Sequence, residues 1–216
     1  MTIRVFLADD HAVVRDGLRL LLETQPDIEV VGEAANGREA VLQAQLQCPD
    51  VLVMDIVMSE LNGIEATRKT RALCPSTQVV VLSMYSTAEH IARAFQAGAL
   101  GYVLKESAGM EVVKAVRAVH SGSRYVSQKL AETGIYDLAQ RHQGGIASPL
   151  ERLSEREREV LQLIVEGRTS AQIAAILALS PKTIETYRSR LMHKLGLSGL
   201  PSLVKFAIQH GLTPLE

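Results

Sequence analysis

Apolar residues fall into two rhythms along this chain. Over the first 120 residues, short runs rich in β-branched residues alternate with longer segments whose apolar positions recur every three to four residues. The runs are IRVFLA, IEVVGE, VLVM, QVVVLS and LGYVL; the longer segments cover 11–24, 36–46, 62–73, 87–97 and 107–119. A strand buried on both faces reads as a continuous apolar run. Five such strands alternating with five helices therefore predict a parallel sheet covered by helices on both sides. Polar residues mark the boundaries. Asn36 with Glu39, Asn62 with Glu65 and Ser86 with Glu89 each pair an N-cap residue with an acid three positions on. Cys48-Pro49 and Cys74-Pro75 stop two helices ahead of the next strand.

The rhythm is lost over residues 121–150, where Gly122, Gly134, Gly144, Gly145 and Pro149 interrupt a segment that is helical at most over 127–141. This stretch reads as an interdomain linker. From Leu153 onward only helical periodicity remains, over about 154–166, 170–178, 181–195 and 201–210. The expected architecture is thus an α/β domain over 1–120, a partly helical linker over 121–150, and a small all-α four-helix domain over 151–216. Ser154 with Glu157 forms a capping-box pattern at the start of that second domain, and Ser180 followed by Pro181 gives its third helix a firm beginning.

Charge sharpens the division. Residues 1–120 hold 11 Lys and Arg against 15 Asp and Glu, net −4, whereas residues 151–216 hold 9 against 7, net +2. An acidic front and a mildly basic back suit a regulatory module joined to a nucleic-acid binder, because phosphate contacts supply most non-specific affinity. The two cysteines, Cys48 and Cys74, lie far apart in the chain with no His or Cys at ligand spacing, which argues against a zinc site and a disulfide scaffold and for a reducing compartment. The start MTIRVFLADD carries two acids where a signal peptide needs apolar residues, and no apolar run approaches the ~20 residues of a membrane span. The expectation is a cytoplasmic protein with no membrane partner.

In an open parallel sheet the reactive crevice lies at the carboxyl ends of the strands. The strand assignment brings Asp9 and Asp10, Asp55, Ser83 and Lys105 to that edge. Clustered carboxylates repel one another unless a cation intervenes, and hard oxygen ligands suit Mg²⁺. A carboxylate can also act as the nucleophile that accepts a phosphoryl group, leaving its neighbours to hold the metal. Neither GxGxxG nor GxxxxGK[ST] occurs, so dinucleotide and P-loop chemistry are disfavoured.

The segments FLADDHAVVRDGLRLLL, GEAANGREAV, DVLVMDIVMSELNGIEATRKTR, VVVLSM and AGALGYVLKE resemble the receiver domains of two-component response regulators, over about 120 residues. The resemblance implies a flavodoxin-like fold and a phosphoacceptor, Asp55, served by a sensor histidine kinase. It implies Mg²⁺ held by Asp10, Asp55 and the backbone carbonyl of Val57, with Asp9 assisting partly through water. Lys105 would pair with the phosphoryl oxygens, Ser83 would swing its hydroxyl toward them, and Tyr102 would turn inward as Ser83 moves. Two positions depart from the usual pattern: Ser59 replaces a common proline, and Glu106 follows Lys105 where many receivers carry a cis-proline. Val57, two positions after the acceptor, is apolar and cannot orient a water for hydrolysis.

In the helical domain, Ile184, Tyr187, Leu191 and Leu195 make one apolar stripe on the 181–195 helix, with polar groups sized for base edges on the opposite face. The run LSEREREVLQLIVEGRTSAQIAAILALSPKTIETYRSRLMHKLGL resembles the LuxR-type helix-turn-helix of NarL/FixJ regulators, over some 60 positions. Carried over by position, Glu185, Thr186 and Ser189 would face bases, while Lys182, Thr183, Arg188, Arg190 and Lys194 would touch phosphates. Glu185 has an alternative within its own helix, pairing with Arg188 or Ser189. The last helix serves either a dimer contact on DNA or packing within its own domain.

The combined expectation is a phosphorylation-dependent transcription regulator. It would bind promoter DNA as a homodimer once phosphorylated, use the receiver face bearing 87–119 for receiver pairing, and have RNA polymerase as a further partner. It would not turn over a substrate. A haloacid-dehalogenase-like phosphatase needs a second Asp two residues after the nucleophile, where this chain has Val57. The remaining alternative is an orphan regulator that binds DNA without phosphorylation.

Overall fold

The structure, a computed structural model, describes residues 2–141 and 148–213. The chain divides into two compact units, Met1–Gly145 and Ile146–Glu216.

The first unit is built on strands β1 (Ile3–Ala8), β2 (Ile28–Ala34), β3 (Val51–Asp55), β4 (Gln78–Ser83), β5 (Gly101–Leu104) and β6 (Tyr125–Val126). All pair in parallel, in the order β2-β1-β3-β4-β5-β6. Because successive strand side chains point to opposite faces, each apolar run feeds two cores. Phe6, Leu52, Met54, Val79 and Val81 face one core, into which α2 (Gly37–Gln47), α3 (Gly63–Leu73) and α4 (Ala88–Gln96) send Ala40, Ile64 and Ile91. Val5, Leu7, Val53, Val80 and Leu82 face the other, closed by Leu18 and Leu22 of α1 (Ala12–Glu23) and Val112, Val116 and Val119 of α5 (Ala108–His120). Continuous apolar runs are what a sheet covered on both faces requires.

The sheet has six strands where five are expected. Tyr125 and Val126 lie beside Gly101 and Tyr102 in register, and Ser127 fixes them by accepting a 2.9 Å bond from the Leu104 amide while donating to Glu111. The next two helices, α6 (Gln128–Glu132) and α7 (Ile135–Arg141), bury Leu130 and Ala139 in the core shared with α4. Tyr136 meets Phe95 of α4 edge-on at 5.7 Å. Most of the stretch read as linker therefore packs within the first unit, and part of the 87–119 face is occupied by α7. Gly144 and Gly145 lie outside the described residues.

Asn36 accepts from the Glu39 amide at 2.9 Å, and Asn62 from the Ile64 and Glu65 amides at 3.1 Å. The Ser86 cap does not form. The N-cap of α4 is Thr87, whose hydroxyl instead meets His90 Nδ1 at 2.8 Å.

In the second unit a short 3₁₀ turn, Pro149–Arg152, leads into α8 (Glu155–Val165), α9 (Ser170–Leu177), α10 (Pro181–Leu195) and α11 (Leu200–Gln209). Val160, Leu163, Ile173, Ile184, Leu191 and Leu203 close one core among the four helices. Ser154 and Glu157 cap α8 reciprocally, Thr169 and Gln172 do the same for α9, and Ser180 accepts from the Thr183 amide at 3.1 Å.

Candidate functional site

β1 and β3 are neighbours, with Ala8 beside Met54, so the Asp9-Asp10 turn and Asp55 emerge together at the carboxyl edge of the sheet. Lys105 starts beyond β5, with β4 between, and its long side chain reaches back. Its Nζ lies 2.7 Å from Asp55 Oδ2 and 2.8 Å from Asp9 Oδ2. Asp9 and Asp55 are 1% and 2% exposed, whereas the Asp10 side chain keeps about a quarter of its surface. His11 completes the cluster and has no role in the sequence reading. Its amide donates to Asp9 Oδ1 at 2.9 Å and its Nδ1 lies 2.7 Å from Asp10 Oδ1. Ligand atoms of Asp9, Asp10, His11 and Asp55 all fall within 4.8 Å of one another. His11 follows the Asp pair directly in sequence.

Burial, and then the Asp9 charge, push the Asp55 carboxyl up to about 7 against the opposing pull of Lys105. The Lys105 pKa rises as well: burial works against its charge, but Asp55 and Asp9 more than offset this and hold it above the ordinary lysine value. Three carboxylates thus face one ammonium, leaving uncompensated negative charge in a mostly buried cluster. An oxygen-rich donor set with a charge deficit fits a hard divalent cation.

Two features hold Asp55 in place. Gly63 approaches so closely that a Cβ there would stand 1.8 Å from the Asp55 carbonyl oxygen, and its amide donates to Ile56 O at 2.7 Å. Gly63 is a positioning residue that the sequence reading did not single out. The preceding turn forms without a proline at Ser59: the Leu61 amide bonds Ser59 O at 2.8 Å, with Glu60 in the left-handed region at φ 65°. Val57 is half-buried against the core.

Ser83 is fully buried at the end of β4, its Oγ accepting from the Tyr85 amide at 2.9 Å. Tyr102 corrects the expectation of an aromatic that turns inward only on switching. It is already buried, with its hydroxyl donating to Tyr85 O at 2.7 Å, and burial raises its phenol pKa.

In the second unit, Lys182, Glu185, Thr186, Arg188, Ser189, Arg190 and Lys194 are exposed on α10, and Thr183 is half-buried. Ser180, Lys182, Thr183, Thr186, Tyr187 and Arg190 line a polar groove on it. Several of these side chains have protein partners. Glu185 accepts from Ser170 of α9 rather than pairing with Arg188 or Ser189. Thr183 shares a 2.8 Å bond with Ser180, and the Thr186 hydroxyl donates to Lys182 O at 3.0 Å. Lys194 reaches the buried carboxylate of Glu157 on α8 at 2.6 Å, a structural tie absent from the sequence reading.

Known proteins agree with both halves. Residues 5–117 match the family described as response regulator receiver domain, and residues 151–207 match the bacterial regulatory proteins, luxR family. The response regulator UvrY of Escherichia coli strain K12 is 39% identical over 99% of this chain and 97% of its own. The chain is a response regulator of the NarL/FixJ family. This response regulator is also 39% identical to the transcriptional regulatory protein LiaR of Bacillus subtilis strain 168, over 97% of this chain and 99% of LiaR. A solved complex of the two-component response regulator RcsB with DNA matches with a TM-score of 0.58 at 26% identity, covering 97% of this chain and 99% of that one. The response regulator therefore combines a receiver domain with a LuxR-type DNA-binding domain, as a two-component transcription regulator of a family whose members work by binding DNA. Receiver domains bind Mg²⁺ at an acidic pocket, and this structure has an acidic cluster of Asp9, Asp10 and Asp55. Among the described residues, no helix is long and apolar enough to cross a membrane.

Proposed function

We propose that Asp55 takes a phosphoryl group from the phosphohistidine of a sensor histidine kinase and that this event governs promoter binding by the LuxR-type domain. A carboxylate oxygen of Asp55 attacks phosphorus and the histidine imidazole leaves, so the proton balance rests with the kinase. Lys105 carries the reading: one ammonium touching both Asp9 and Asp55 marks where new phosphoryl oxygens gain a partner. Asp10, Asp55 and the carbonyl of Val57, with Asp9 assisting, would hold Mg²⁺, which supplies charge neutralisation during transfer. Ser83 turns its hydroxyl toward the phosphoryl group, and the Tyr85 backbone that Ser83 and Tyr102 both bind moves with it, coupling the site to α4.

Phosphorylation then favours a homodimer on paired half-sites, with RNA polymerase as a further partner. Arg188, Arg190 and Lys182 are the phosphate contacts on exposed positions. Thr186 and Ser189 lie on the same face for base contacts, and Glu185 joins them on release from Ser170. Lys194 serves DNA only by leaving Glu157. The test is labelling with acetyl phosphate and Mg²⁺. Wild type gains one phosphoryl group, Asp55→Ala gains none, and Lys105→Ala is labelled but fails to tighten promoter binding. A fully labelled Asp55→Ala protein contradicts the assignment.

A further inference from the structure

The two cysteines, 26 positions apart in sequence, meet in space. Cys48 ends α2 and Cys74 ends α3, two helices packed on the same face of the sheet, and their sulfurs are 3.4 Å apart. The loops that carry them are stitched to each other: the Thr77 hydroxyl donates to Pro49 O at 2.8 Å and the Gln78 amide to Asp50 O at 2.9 Å. Arg4 braces the first loop through Cys48 O at 3.2 Å and Asp50 Oδ2 at 2.8 Å. Cys74 points inward, where its thiol reaches Ala44 O at 3.3 Å. Cys48 is exposed and Cys74 is 3% exposed. The pair lies at the strand-start edge of the sheet, one strand length from Asp55, and none of the phosphoryl chemistry uses it.

We propose that Cys48 and Cys74 form a reversible intramolecular disulfide under peroxide, a redox modification site on the receiver separate from its phosphoryl site. A bonded pair needs an S–S distance of about 2.05 Å, so ~1.4 Å of approach closes the gap. Exposure decides the order of events. The Cys48 thiolate attacks one oxygen of hydrogen peroxide, breaking the O–O bond to give Cys48 sulfenic acid and hydroxide. The Cys74 sulfur then attacks the Cys48 sulfur, and the sulfenic oxygen leaves as water with the Cys74 proton. In total two thiols lose two electrons and two protons, and one peroxide becomes two waters. Burial raises the Cys74 thiol pKa, and its neighbour Cys48 adds to this, which suits Cys74 to the resolving step rather than the first attack. The covalent loop so closed contains β3, Asp55 and α3, the segment that presents the acceptor.

The experiment treats the full-length folded protein with hydrogen peroxide, blocks remaining thiols with N-ethylmaleimide and digests with trypsin. The proposal expects both maleimide adducts to disappear, a cross-linked peptide pair joining Cys48 to Cys74 to appear, and dithiothreitol to restore both thiols. Cys74→Ser, which keeps a donor for Ala44 O, should instead accumulate a Cys48 sulfenic acid trapped by dimedone, at least several-fold above wild type. Retention of both adducts in the oxidised wild type, a disulfide between two chains in place of the internal one, or equal dimedone trapping in wild type and Cys74→Ser would each overturn it.

Discussion

At Gly63 the backbone passes so near the Asp55 carbonyl that even a methyl group has no room. Gly63→Ala should therefore cost about 1–3 kcal/mol or more in urea unfolding and lower acetyl phosphate labelling. Gly17 is the control: it sits exposed inside α1 with nothing within 4 Å, so Gly17→Ala should stabilise by about 0.5–1 kcal/mol. A second prediction rests on Val57. Its apolar side chain offers no hydrogen bond to an attacking water, so the phosphoprotein should be long-lived and Val57→Asn should shorten its half-life severalfold. A fast wild-type decay left unchanged by the substitution contradicts this. The acids and Lys105 were legible in the sequence because strand-end positions converge by topology. Gly63 and His11 were not: close backbone approach leaves no mark on hydropathy, and a histidine beside two aspartates has no periodicity to betray it.

Helix boundaries were readable wherever a cap bond is local. Asn36, Asn62, Ser154 and Ser180 each bond an amide two or three residues on, so type and spacing suffice. Ser86 failed because Thr87 takes the N-cap place, and its hydroxyl is claimed by His90, a choice that spacing does not register. The α8 cap gives a pH prediction. Burial raises the Glu157 pKa, but the bonds from Lys194 and from Ser154 more than offset this and leave it below its ordinary 4.5. A carboxyl depressed in the folded state adds stability above its unfolded pKa, and that stability is lost as pH falls through the folded one. Glu157→Gln should thus destabilise the DNA-binding unit by about 1–2 kcal/mol at pH 7, with the difference from wild type in thermal melts shrinking as pH falls below 4.5. A constant difference across that range would remove the ionic tie to Lys194 from the account.

The two-unit organisation was visible in the change of hydrophobic rhythm, but where the first unit ends was not. β6 has two residues, too few for any alternation, and α6 and α7 are short helices broken by Gly134. Their hold on the first unit comes from long-range contacts at Ser127, Leu130, Ala139 and Tyr136. A fragment ending at 141 should accordingly melt higher than one ending at 120, by several degrees if Leu130 and its neighbours contribute about 2–3 kcal/mol. Equal melting temperatures would make 121–141 an appendage. At the scale of the whole chain, a coupling is expected by which charge placed on Asp55 is felt by α10. It is tested most directly by measuring affinity for DNA selected from a random pool, with and without beryllofluoride and Mg²⁺, for wild type and Asp55→Ala at one fixed salt concentration. Wild-type binding should tighten with the phosphate mimic and Asp55→Ala should not respond; an identical affinity for wild type in both conditions would contradict a link between Asp55 and α10.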